Sequence, residues 1–272
     1  MSSQKLPLTA EKETFIKNLC YTPALPALWR TGFWPFFQYR DLGLHGASRG
    51  AMGAEHIKYV GPNESTGWFR HNLEFDWLYV LKGQVAVAYE TGPTEVLKAD
   101  DAILLPAGYG LRFFGFSADF EALEITTPAQ GTLVLERTAP TPKGVSPPVI
   151  SRDTPEAHVA GDGLRRFFKY RELGIAAATD RRIHIHVISI AEKSPGGTGW
   201  HYHRAGQFAY VLDGWGTVSL KDQQALHYKA GDAISVCPGY RHDVPDYSMA
   251  YKVIELIAPA DYETIAEPAA AT

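Results

Sequence analysis

Two histidines alternate in the run His201-Tyr202-His203, with Gln207 shortly after them and His242 farther on. Residues two apart on a β-strand share a face, so His201 and His203 would present their imidazoles side by side. Three neutral imidazoles and an amide suit a borderline divalent ion such as Fe(II), Mn(II), Ni(II), Cu(II) or Zn(II). The surrounding signals are ordered: Gly199-Trp200 leads in, Gly214 closes a strand, and Gly231-Asp232 precedes AISVC and the turn Pro238-Gly239 before His242. Arg241, beside His242, is placed to meet an anionic substrate.

The elements that must carry these residues occur twice. FFQYRDLGL at 36–44 returns as FFKYRELGI at 167–175, an offset of 131. The same offset relates LYVLKG at 78–83 to AYVLDG at 209–214, KADDAI at 98–103 to KAGDAI at 229–234, Gly108-Tyr109 to Gly239-Tyr240, and Glu124 to Glu255. Thr66-Gly67-Trp68 matches Thr198-Gly199-Trp200 at 132, so the first copy holds one extra residue after its Trp. Each copy reads as short β-branched and aromatic runs broken by Gly, Pro and Asp, which predicts a sandwich or small barrel built twice. A helix is predicted near the start, over 9–20, with Thr9 as its N-cap. The expected division is an extension over 1–34, a first barrel over 35–137, a Pro-rich linker over 138–165 and a second barrel over 166–272.

At the offset of 131, Arg70, Asn72, Asp76 and Leu111 face the four candidate ligands, and at 132 Phe69 and His71 face His201 and His203. Neither set matches the second copy, so the first barrel is expected to shape structure or substrate without holding metal, with His71, Glu74 and Asp76 as an alternative polar site. His184 and His186 also alternate on one strand, as a hydrogen-bonded pair or in a supporting role. Glu124 and Glu255 are read as a repeated structural contact, and Phe36-Phe37 and Phe167-Phe168 as packing.

Composition narrows the partners. Lys and Arg number 26 against 30 Asp and Glu, leaving no basic excess to displace counterions from a nucleic acid. No run reaches the roughly 20 apolar residues of a membrane span, and the first residues lack the apolar centre of a secretory signal, so a cytoplasmic protein is expected. Cys20 and Cys237 are too few for a disulfide framework. The aromatic share of 12% is enough to supply an apolar face for a homodimer.

The ordered set GWHYHRAGQFAYVLDG and GDAISVCPGYRH resembles the two signature motifs of the cupin superfamily, and the duplication resembles a bicupin. The resemblance implies an all-β protein, a duplicated double-stranded β-barrel of jelly-roll type. It also implies one divalent metal per chain, held by His201, His203, Gln207 and His242, with Fe(II) favoured and Mn, Ni, Cu or Zn admissible. Gln207 departs from the commoner Glu and keeps the formal charge of the dication with its ligands near +2, which favours anionic or enolate-forming substrates. The first expectation is a non-haem Fe(II) dioxygenase for a small aromatic, enol or diketone-like substrate, with Gln207 and Arg241 as its catalytic groups. A metal-dependent isomerase or lyase that stabilises an enolate is the second, and a non-catalytic small-ligand-binding bicupin the third.

Overall fold

The computed structural model describes residues 19–266 apart from 63–64, 91, 136–143, 163–164, 195 and 262. They divide into two compact units: Ala27–His45 with Gly50–Asp153, and the chain from Thr154 onward with Gly46–Arg49 and residues through Pro26. Each unit is a seven-stranded sheet facing a five-stranded one. The protein is an all-β duplicated jelly-roll barrel.

In the first unit the larger sheet runs Val149–Ser151, Ala102–Leu105, Phe75–Lys82, Glu121–Thr127, Gly53–Tyr59, Phe37–Asp41 and Arg30–Thr31. The smaller runs Leu133–Leu135, Phe69–His71, Leu111–Phe114, Gln84–Tyr89 and Glu95–Lys98. In the second unit the order repeats strand for strand: Cys20–Thr22, Ala233–Val236, Gly206–Asp213, Lys252–Ala258, His184–Ile190, Phe168–Glu172 and His158–Ala160, over Leu226–Lys229, Trp215–Leu220, His242–Tyr247, His201–His203 and Thr264–Ala266. The repeated sequence motifs now have causes. The glycine ending LYVLKG and AYVLDG turns one strand into the next at φ 70° (Gly83) and 66° (Gly214), where a Cβ would strike Ser117 or Ser248. The strand before each turn is buried on both faces, with Trp77, Tyr79 and Phe208 almost inaccessible.

The edge strands come from stretches read as extension and linker. Val149–Ser151 pairs with Ala102–Leu105 in the first barrel, and Cys20–Thr22 pairs with Ala233–Val236 in the second. Three-residue strands carry too little pattern to be read beforehand. The repeated aspartate of KADDAI and KAGDAI fastens both. Asp232 accepts hydrogen bonds from Tyr21 Oη at 2.9 Å, Ala24 N at 2.6 Å and Lys229 N at 2.9 Å. Asp101 accepts them from Asp153 N at 3.0 Å and Lys98 N at 3.0 Å, with Arg152 paired to it at 2.8 Å. Asp232→Ala is therefore expected to cost about 2–3 kcal/mol, because hydrogen bonds to a buried charge are lost together. An unchanged urea midpoint would show that the edge strand is held otherwise. The helix expected over 9–20 lies outside the described residues except at its end, where Cys20 opens a strand.

Candidate metal centre

Strand pairing brings the histidines together. His201 lies directly opposite His242 in the smaller sheet of the second barrel, and His203 follows two residues on, facing the same way. The ring centroids are 4.3 Å apart for His201 and His242, 5.1 Å for His201 and His203, and 5.5 Å for His203 and His242. One nitrogen from each ring lies within 4.8 Å of the others. Pro238-Gly239 seats the site: Gly239, at φ 76°, donates its N–H to His203 O at 2.7 Å.

The outer ring nitrogens are engaged. His201 Nδ1 donates to Gly199 O at 2.7 Å and His242 Nδ1 to Tyr240 O at 2.9 Å, while His203 Nδ1 is 3.4 Å from Thr264 Oγ1. Such contacts fix the tautomer and leave Nε2 lone pairs for an ion. Burial, with the repulsion of neighbouring imidazoles, lowers His203 and His242 to about 4, so both are neutral and ready to ligate. Gln207 opens the adjacent strand of the larger sheet and borders the same cavity, of about 190 Å³. Its Nε2 donates to Glu255 Oε1 at 2.9 Å. A carboxylate can only accept here, so the amide oxygen is the end left for other partners. Three neutral nitrogens and a carbonyl oxygen fit a divalent transition metal with open positions for substrate.

Glu255 joins two networks. It stands opposite His186 on the neighbouring strand, and its Oε2 accepts from His186 Nε2 at 2.8 Å. His186 Nδ1 meets His184 Nε2 at 2.8 Å, and exposed Glu172 lies 3.6–3.7 Å from the pair. Burial alone would raise Glu255, but the hydrogen bond and charge of His186 outweigh it and hold Glu255 at about 2. Burial opposes charge on His186 too, yet Glu172 and Glu255 push it up to about 9. His184, His186 and Glu172 also bring ligand atoms within 4.8 Å of one another, but both ring nitrogens of His186 and Nε2 of His184 are spent on this network.

Other residues fall differently from the reading above. Arg241 is not among the residues that line the cavity; its carbonyl accepts from Lys221 N at 3.1 Å, and the guanidinium at the cavity belongs to Arg165. Arg165 lies in the stretch read as linker, where no motif marks it. Glu255 was legible only as a repeat of Glu124, and its contact with Gln207 spans 48 positions. In the first barrel, Leu111 pairs with Phe69 as His242 pairs with His201, and Gly108 donates to His71 O at 2.9 Å as Gly239 does to His203. The offset of 132 is therefore the structural one for this strand, and only His71 survives of the three imidazoles.

Two stretches of the chain, 57–123 and 189–247, match the family model described as a cupin domain. The chain is a bicupin of the cupin superfamily. Among solved structures it is similar to oxalate decarboxylase from Bacillus subtilis, at 13% identity and a TM-score of 0.66 over 92% of this chain and 80% of that one. That enzyme is described with Mn(II) centres. Oxalate decarboxylase from Lactobacillus farciminis, in a formate complex, matches at 11% identity and a TM-score of 0.65, over 92% and 89%. At this identity the likeness is one of fold. No curated protein matches the sequence. Among the described residues no helix is long and apolar enough to cross a membrane.

Proposed function

We propose that the second barrel is a metal-dependent lyase for a small anionic substrate, with His201, His203, His242 and Gln207 holding the metal. The observation that carries this reading is a donor set without a carboxylate, with the acid that lines the cavity, Glu255, turned to Gln207 and His186 instead. A bound dication supplies Lewis-acid stabilisation of a developing oxyanion or enolate. The imidazoles and the amide leave its charge uncompensated, so the cavity favours a ligand that brings negative charge, and Arg165 adds a second positive group. Glu255, held as a carboxylate by His186, lines the cavity and orients Gln207 by accepting from its Nε2, which leaves the amide oxygen as the end available to an ion. The walls include Phe168, Ile188, Val218 and Val253, which suit a short hydrocarbon part beside the anionic end.

The neighbours support a lyase over the dioxygenase first expected, because decarboxylation breaks a carbon–carbon bond with no net oxidation, and they favour Mn(II) over Fe(II). The test is turnover of oxalate and short 2-oxo and 3-oxo acids by Mn(II)-loaded and Fe(II)-loaded protein. Carbon dioxide release and oxygen uptake are followed together. Product release without matching oxygen consumption is expected. One dioxygen consumed per turnover, with Fe(II) alone, would return the assignment to a dioxygenase.

A further inference from the structure

The first barrel keeps the frame of the second and replaces its contents. Asp76 takes the place of Gln207, Glu124 that of Glu255 and Glu55 that of His186, each on the matching strand and register. Phe69 and Leu111 stand where two of the imidazoles were. The interior becomes a cavity of about 260 Å³ walled by Trp34, Phe37, Tyr39, Phe69, Phe113 and Phe116. The rings pack into a continuous lining: centroids are 5.7 Å apart for Trp34 and Phe69, 6.1 Å for Phe69 and Phe113, and 5.1 Å for Phe37 and Phe116. Asp76, Glu55 and Glu124 line the same cavity and an adjoining hollow.

One of these acids, Asp76, is incompletely satisfied. Asp76 is 4% exposed and its Oδ1 has no hydrogen-bond partner; Oδ2 lies 3.6 Å from His71 Nε2. Arg30, the cation lining the cavity, pairs with Glu55. Burial raises Asp76, and burial with the charges of Asp76 and Glu55 raises Glu124 well above the carboxylate range. Buried acids with too little positive charge beside them hold a proton, which a cation entering from outside can displace. Aromatic faces favour an organic one, whose charge they attract and whose hydrocarbon they cover. A metal ion fits less well, because among the described residues of this barrel no three His, Cys, Asp or Glu ligand atoms come within 4.8 Å of one another.

We propose that the first barrel is a binding site for an organic ammonium ion with an apolar substituent, its charged nitrogen against Asp76 and Glu124 and its substituent in the aromatic cage. The site is separate from the metal centre, and the proposal does not depend on the reaction assigned there. The test is calorimetric titration of the full chain with phenethylammonium, 2-phenylethanol and phenylacetate. One phenethylammonium per chain is expected, with the alcohol on the order of 10–100-fold weaker for want of a charge-assisted contact, and no binding of phenylacetate. Asp76→Asn should weaken phenethylammonium by a similar factor while the unliganded protein is no less stable than wild type, since a buried acid with an unsatisfied Oδ1 and only a 3.6 Å contact to His71 is removed. Glu124→Gln carries the same expectation should Asp76→Asn fail to fold. His201→Ala should leave this binding intact, which locates it in the first barrel. Equal affinity for ammonium and alcohol, unchanged binding in both acid variants, or Mn(II) that is retained in His201→Ala and lost in Asp76→Asn would each overturn the proposal.

Discussion

Changing His242 or His201 to alanine is expected to lower the affinity of the chain for a divalent metal on the order of 100-fold or more, whereas His71→Ala leaves it nearly unchanged. Four-ligand protein sites bind zinc with about 10–16 kcal/mol, so one ligand in four carries roughly 3 kcal/mol, about two decades in affinity. His201 and His242 face each other across one strand pair, and each has its outer nitrogen fixed by a backbone carbonyl. Loss of either removes a donor that was already oriented, and no neighbouring His among the described residues takes its place. His71 has a leucine and a phenylalanine where its partners would be. Competition against a chelator, with elemental analysis and circular dichroism to confirm folding, measures the change. Full occupancy in folded His201→Ala and His242→Ala proteins would falsify the assignment, as would metal lost from His71→Ala instead.

The parts of the molecule that were legible are those in which a local rule meets a long-range repeat. The His-x-His run works because strand alternation is local, and His242 because the glycine turn before it recurs at Gly108 in the first barrel. The reciprocal edge strands were not legible: three residues such as Val149–Ser151 are below the length at which alternation says anything, and their partners are more than forty residues away. The choice of Gln at 207 was visible, but its reason was not. Glu255 Oε1 lies 2.9 Å from Gln207 Nε2, so a second carboxylate there would face the first. Sequence spacing offered Arg241 as the anion-meeting group because it adjoins a ligand. In the fold the cavity receives Arg165, from the opposite end of the barrel sequence. Repetition misled in one respect: Glu124 and Glu255 occupy equivalent positions, yet one sits among acids and aromatic rings and the other beside a histidine pair.

That difference gives the largest expected effect on stability. Glu255→Ala should destabilise the second barrel by about 3–5 kcal/mol, because it leaves His186, 2% exposed, without its buried partner. Removing both members, as in a Glu255→Leu, His186→Leu protein, should recover much of that loss, since neither charge is then stranded. The pH dependence separates an ion pair from simple packing. Glu255 has a folded value near 2, below its ordinary 4.5, so its contribution is complete above 4.5 and lost as pH falls through 2. His186 has a folded value near 9, above its ordinary 6.5, so its contribution is complete below 6.5 and lost as pH rises through 9. Wild-type stability attributable to the pair is therefore greatest between about pH 4.5 and 6.5 and declines toward pH 9, while the double leucine protein lacks that decline. Urea unfolding across this range distinguishes them. Parallel pH profiles in the two proteins would mean that His186 and Glu255 meet as neutral groups. The carboxylate that the metal centre borrows to orient Gln207 would then need another source.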